Sequence, residues 1–225
     1  MKTVTIYGLV FVLLFSACSK IDNYSGPDAT IKGSVIDKST NKPIQTESPN
    51  GFYIRLEENH SNSTPLNFNG MADGTFMNTA VFAGSYKVVP VSGAFFTPDT
   101  AVVNISGVTS VDFTVTPYLT VSATAVTVAG GVEVKYRIAR TVAADKIVES
   151  KAIASLAPAA SSTVFNQAVT NDLSGIDDED VLATEYTDTI TGLTSGKTYY
   201  IRVAAKTNNS NNKYNYSEIM QVNVP

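Results

Sequence analysis

The chain has no tryptophan, one cysteine (Cys18) and one histidine (His60) among its 225 residues. A single thiol excludes an internal disulfide and any site built from several thiolates. The folded part must therefore hold itself together by burial alone. A basic block is also missing. The net charge is -4 and Lys and Arg are scattered, so nothing could track a phosphate backbone. Nucleic acid is not an expected partner. His60 lies between Asn59 and Ser61, with no nucleophile-elbow glycine pattern nearby. It reads as a solvated loop residue and not as the base of a catalytic triad. The longest apolar run, residues 4–15, falls short of the roughly 20 residues that span a bilayer as a helix.

What is present starts with that run. Lys2 supplies a positive start, and the run closes on Phe15, Ser16, Ala17 and Cys18. This is the layout of a signal peptide over residues 1–17. Its end resembles a lipobox, with Phe15 where Leu is usual. The resemblance implies cleavage before Cys18 and a diacylglycerol thioether on its sulfur. More than one acyl chain suffices for stable attachment to a membrane. Residues 18–27 are polar and turn-rich and read as a lipidated tether.

Residues 28–116 alternate apolar and polar positions in short runs separated by turn clusters. Thr30 to Asp37 is such a run, followed by Lys38, Ser39, Thr40, Asn41, Lys42 and Pro43. Further runs begin at Phe52, Asp73, Ala83, Thr100 and Ser110. Short, evenly punctuated strands argue for an all-β sandwich. Gly33 to Asp37, then Thr40 to Ile44, Asp73 to Phe76 and Ala83 to Tyr86 resemble the carboxypeptidase-regulatory-like, transthyretin-like (prealbumin-like) sandwich. Asn41 stands where that pattern has Gly, and Asn also tolerates positive φ. The resemblance implies a fold and a scaffolding role, without peptidase activity.

Residues 117–225 form the second expected sandwich, with Pro117 at the boundary. Val132 to Ile138 alternates cleanly. Residues 146–155 fit strand or helix periodicity and are read as strand. Leu193, Gly196, Tyr199, Ile201 and Val203 resemble the E–F corner and F strand of fibronectin type III domains, with Ser195 replacing the usual Pro. That resemblance implies a structural role for Tyr199, whose hydroxyl would bond back to the corner's backbone. Tyr136 is the candidate to fill the core position that a tryptophan usually takes. Residues 207–215 read as an Asn-rich hairpin loop before the last strand.

The fold class expected is thus all-β, two consecutive β-sandwich domains. The order of lipobox, transthyretin-like domain and fibronectin type III-like, immunoglobulin-like domain resembles a two-domain lipoprotein family of the Bacteroides group. Its members tend to be encoded beside starch-utilisation-type glycan uptake systems. The resemblance implies a non-catalytic, surface-exposed outer-membrane lipoprotein, held by its lipid anchor at Cys18, that assists glycan binding or uptake. Polysaccharide and outer-membrane uptake complex proteins would be its partners. The alternative is a structural spacer or adhesion module that binds only protein partners.

Motifs for chemistry are sparse, and neither an enzyme nor a cofactor is expected. Residues 192–198 nearly spell a phosphate-binding loop but are one residue short and precede a strand, so no helix N-terminus would face the phosphate. Ser39 and Lys42 match a Ser-x-x-Lys pattern without its companion motifs. Asp177, Asp178, Glu179 and Asp180 form the densest acidic cluster. It reads as a solvated loop, with calcium on Asp177, Asp178 and Asp180 as the weaker alternative. Contiguous acids on one loop cannot flank a glycosidic bond from two sides. Aromatics in turn-like settings are the candidate ligand-binding residues: Phe95 and Phe96 first, Tyr214 and Tyr216 second. Asn209, Asn211 and Asn212 would supply amides. Exposed rings stack on sugar faces or plug into protein partners.

Overall fold

The computed structural model describes residues 26–60, 64–143 and 145–225. The expected signal peptide, Cys18 and all but the last two residues of the tether lie outside the described residues.

The first sandwich is organised by one long strand, β1 (Ala29–Asp37). After it come β2 (Lys42–Pro43), β3 (Tyr53–Glu58), β4 (Leu66–Asn69), β5 (Thr75–Val81) and β6 (Gly84–Val91). The unit ends with β7 (Phe95–Phe96), β8 (Ala101–Ile105), β9 (Val108–Ser110) and β10 (Phe113–Pro117). One sheet has the order β2-β1-β10-β7, with β5 and β9 also on β1; the facing sheet is β4-β3-β6-β8. β1 runs parallel to β9 through its first half and to β10 through its second. The chain crosses from one to the other at Val111 and Asp112. Here Gly33 is required, because a Cβ would sit 1.7 Å from the Val111 carbonyl oxygen. Asp112 Oδ1 accepts the Ser34 N–H at 2.8 Å and secures the crossing. Alternation places Ala29, Ile31 and Val35 of β1 and Ile54 and Leu56 of β3 in one core with Phe52, Phe76, Phe95 and Phe113. Asn41 adopts φ +55°, the left-handed turn its side chain tolerates.

Pro117 is the last residue of β10 and pairs with Phe95, so the chain turns into the second sandwich only at Tyr118 and Leu119. There follow β11 (Thr120–Val128), β12 (Gly131–Ala139), β13 (Ile147–Ser155), β14 (Gln167–Asp172), α1 (Asp178–Ala183) and β15 (Tyr186–Thr191). β16 (Thr198–Thr207), β17 (Asn215–Tyr216) and β18 (Met220–Asn223) complete the chain. β11-β12-β15 packs against β14-β13-β16-β17, with β18 also on β16. The uncertain segment is a strand. Its periodicity is blurred because both faces are covered: Ala152 and Ala154 join the main core, and Ile153 lies in a smaller cluster on the other side.

Two features hold the second core in register. The Tyr199 hydroxyl, 3% exposed at the residue level, accepts the Thr194 N–H at 3.1 Å, with Gly196 at φ +74° making the turn between them. Tyr136, also buried, stacks on Tyr186 at 5.2 Å. Its hydroxyl donates to Asp188 Oδ2 at 3.1 Å and lies 2.7 Å from the Ser150 hydroxyl, and Asn171 donates to it at 3.0 Å. This polar cluster fills the place expected of a core aromatic. Burial pushes the Asp188 carboxyl above the usual carboxylate value, partly offset by the hydrogen bonds from Tyr136 and Asn171.

The acidic cluster departs from the expected loop. Three acids sit in the first turn of α1, where they complement the helix dipole. Asp178 Oδ2 accepts from Arg140 at 2.8 Å; Oδ1 accepts from Lys146 and from the Ile147 N–H, both at 3.1 Å. Cationic and backbone donors already satisfy this carboxylate. Of the three acids offered for calcium, Asp178 is thus held in an ion-pair network that ties α1 to the start of β13 (Ile147–Ser155).

Candidate functional site

The outer face of the β14-β13-β16-β17 sheet gathers charged and aromatic side chains from three strands. Register decides which residues meet. Glu149 stands opposite Lys206, Lys151 opposite Ala204, Ile153 opposite Arg202 and Ser155 opposite Tyr200. Thr170 of β14 lies beside Lys151, and Tyr216 of β17 beside Ala204. All of these point away from the main core, since side chains alternate along a strand.

Arg202 forms the floor of this face. It is 0% exposed, and burial lowers its guanidinium to about 10, leaving it cationic at neutral pH. Nε donates to the Ser217 carbonyl at 2.9 Å, and Nη1 donates to Thr46 and Ala160 carbonyls at 2.7 and 3.2 Å. Nη2 reaches Gln45 Oε1 at 3.4 Å, and the guanidinium lies 4.3 Å from the Tyr216 ring centre. Thr46 and Gln45 belong to the first sandwich, so this one side chain joins the two. Tyr216 donates to Glu47 Oε2 at 2.8 Å, across the same junction. The Asn215 amide donates to the Ala94 carbonyl at 2.9 Å while its oxygen accepts the Leu119 N–H.

The loop between β13 and β14 folds back over this floor. The Ala160 carbonyl caps Arg202, and the Ser162 N–H donates to the Tyr216 hydroxyl at 3.1 Å. The loop then leaves Phe165 standing 44% exposed, with Lys151 Nζ 5.5 Å from its ring centre. On the far side, Tyr214 is half-buried, and its hydroxyl donates to Glu149 Oε1 at 2.6 Å. Burial, followed by the Glu149 carboxylate, pushes that hydroxyl well above its ordinary value. Lys206 Nζ sits 4.8 Å from the Tyr214 ring and 3.9 Å from Glu149. A shallow strip results: a ring at each end, with a carboxylate between two ammonium groups. Rings offer faces to apolar C–H surfaces. The Lys and Glu heads offer donors and acceptors to hydroxyls.

The expected ligand residues fare differently. Phe95 is 2% exposed and packs edge-on against Phe52 at 6.2 Å, so it is core and cannot stack on a ligand. Phe96 is half-buried against Tyr118 at 5.0 Å, wedging the linker between sandwiches. Tyr216 is 5% exposed and serves the junction. Tyr214 keeps part of its side chain toward solvent on the outer sheet face. The amides are also committed: Asn209 closes its own loop through Thr207 and Lys213, and Asn211 donates to the Gly93 carbonyl. Asn212 accepts from Lys206. Phe165 is the residue that sequence reasoning missed. Its signal was an apolar pair, Val164 and Phe165, inside a polar stretch with no strand period. Ser39 lies in the β1–β2 turn, where it bonds Asp37, and Lys42 opens β2. A cleft of about 370 Å³ opens at the junction on the β11 and β18 side, floored by Ile44, Pro117, Leu119, Val121 and Met220. Lys42 and Glu218 pair across its mouth at 2.9 Å.

These features define a nearly all-β class of protein: two consecutive sandwiches clamped at a polar junction, with a ring-bearing sheet face. The comparisons narrow it further. Residues 29–116 match the family model described as "Protein of unknown function (DUF3823) N-terminal domain". A DUF3823 family protein from Bacteroides uniformis is similar to this chain at 26% identity and a TM-score of 0.78, over 88% of this chain and 100% of that one. A second B. uniformis protein, described as a "putative carbohydrate binding protein", aligns at 22% identity and a TM-score of 0.76 with the same coverage. A DUF3823 family protein from Parabacteroides merdae aligns at 21% and 0.73, again over 88% and 100%. No curated protein matches the chain.

Proposed function

We propose that this protein is a non-catalytic lipoprotein of the outer membrane, anchored through Cys18 and exposed at the cell surface, that holds glycan chains on the outer face of its β13–β16 sheet as an accessory of their uptake. The observation that carries the reading is the strip in which Phe165 and Tyr214, from the flanking loops, bracket Lys151, Glu149 and Lys206 on one sheet face. The likeness in fold to a protein described as carbohydrate binding adds support. One ring on one sugar is worth about 1–2 kcal/mol, so a strip with two rings gives roughly millimolar affinity. Retention on a long polymer comes from many anchored copies acting together. Affinity electrophoresis of the protein from Ser19 onward, in gels containing plant or host polysaccharides, tests this. Retardation by a polymer that is lost in Phe165→Ala is expected. Absence of retardation by every polymer, with cross-linking on cells recovering only protein partners, transfers the case to the spacer reading.

A further inference from the structure

The end of the first sandwich opposite the junction carries large apolar side chains in open solvent. Val108 is 67% exposed, Phe82 54% and Leu66 47%. These three gather at this end, whereas Met77 and Val102, also exposed, lie farther along β5 and β8. Val81, next to Phe82, pairs with Ala29 on one side of β1, and Val108 pairs with Thr30 on the other. Leu66 and Phe82 line one depression together with Thr64 and Ala80. Phe82 and Val108 thus flank the first residues of β1, with Leu66 beside Phe82. Backbone and side-chain bonds hold their positions: the Thr30 N–H donates to the Gly107 carbonyl at 2.7 Å, and the Tyr86 hydroxyl donates to the Phe82 carbonyl at 3.0 Å. Exposed apolar residues concentrated in one place mark an interaction surface, whereas single ones need no explanation.

The chain itself says what lies against this end. β1 begins here, and only eight residue steps separate Gly26 from Cys18. Fully extended, they span less than about 30 Å. If Cys18 carries acyl chains, this end cannot move farther than that from the bilayer, whereas the opposite end is under no such limit. We propose that the Leu66–Phe82–Val108 end of the first sandwich docks on the lipid surface, so that the protein stands upright on its anchor. The inference rests on the lipid anchor at Cys18. Among the described residues, Asp28, Glu58 and His60 lie at the strand ends here, with no cluster of Lys or Arg beside them. The contact is therefore apolar and does not require anionic lipid. Docking in this way fixes orientation. The nine residues of β1 set the junction about 30 Å above the membrane, with the β13–β16 face beyond it.

The absence of tryptophan makes the test clean. The mature chain, beginning at Cys18, is coupled through that thiol to maleimide-bearing lipid in phosphatidylcholine vesicles, which supplies the anchor chemically. Phe82→Trp reports on the proposed contact, Leu66→Trp repeats it should position 82 not tolerate the larger ring, and Phe165→Trp is the control on the far sheet face. Emission at position 82 or 66 is expected at shorter wavelength than for the uncoupled protein and quenched about twofold or more by brominated lipid, with position 165 unaffected. Equal quenching at positions 82 and 165, or none at either, overturns the docking surface. The anchor is tested separately by labelled palmitate in cells. Labelling that is absent from the wild type overturns the anchor reading whatever the vesicles report.

Discussion

Arg202→Met should weaken the protein more than any other exchange in the second sandwich of similar side-chain length. The guanidinium is fully buried, and its desolvation costs several kcal/mol, which the surrounding bonds must repay. Replacing a buried ion pair by apolar groups is often harmless because both partners go together. Here the partners are backbone carbonyls of Ser217, Thr46 and Ala160, which remain when the donor is removed. Each buried acceptor left without a donor costs about 1–3 kcal/mol. The relief of burying no cation offsets part of that, for a net loss of about 3–5 kcal/mol. Because Thr46 lies in the first sandwich, the loss also uncouples the two halves. Urea unfolding followed by circular dichroism should give one transition for the wild type. It should give an earlier, broadened or split one for Arg202→Met, and Arg202→Lys should recover little because it lacks the planar fork. A Met variant with the wild-type midpoint and slope refutes the claim that Arg202 joins the sandwiches.

Other predictions follow from single contacts. Tyr199→Phe removes the acceptor of the Thr194 N–H and should cost about 1 kcal/mol in urea unfolding, leaving the fold intact by circular dichroism. For Asp178, burial alone would raise its carboxyl, but the bonds from Lys146, the Ile147 N–H and Arg140 together carry it below the ordinary value. A carboxylate whose folded value is lowered stabilises fully above its unfolded value and loses that contribution as pH falls through the folded one. Wild type should therefore lose stability relative to Asp178→Asn as pH drops from ~5 toward 3, and a constant difference across that window contradicts the network. Separate expression of residues 28–116 and 117–225 should give β-rich fragments, each less stable than in the whole chain, because the split exposes Phe96, Tyr118 and Arg202; fragments as stable as the whole argue against a coupled junction.

Much of the fold was legible because its signals are local. The strand period placed Ile31, Val35, Ile54 and Leu56 inward, and Asn41 and Gly196 marked turns whose positive φ they can adopt. Tyr199 was legible from its spacing to Leu193 and Gly196. The candidate site was much less so. Phe95 and Phe96 follow a turn and precede a proline, which reads as surface. Yet a two-residue strand pairing with Thr116 and Pro117 carries Phe95 into the core. Tyr216 and Arg202 look like strand-end and strand-face residues until the first sandwich arrives to cover them. Such burial depends on a junction between segments 156 positions apart, which no local period encodes. Phe165 escaped notice for the converse reason: its exposure is decided by a loop that spends its other residues covering Arg202 and Tyr216. The acidic run was read as a loop because its helix is only six residues long and its partners, Arg140 and Lys146, lie more than thirty positions away.

The claim that the β13–β16 face holds glycan is tested most directly by nuclear magnetic resonance. The protein from Ser19 onward, labelled with nitrogen-15, would be titrated with oligosaccharides cut from whichever polymer retards it in affinity gels. Shifts should concentrate on Lys151, Phe165, Thr170, Lys206 and Tyr214, saturating at roughly millimolar ligand, and should vanish in Phe165→Ala. Shifts confined instead to Leu119, Val121 and Met220 around the junction cleft, or no shifts at all, would contradict it.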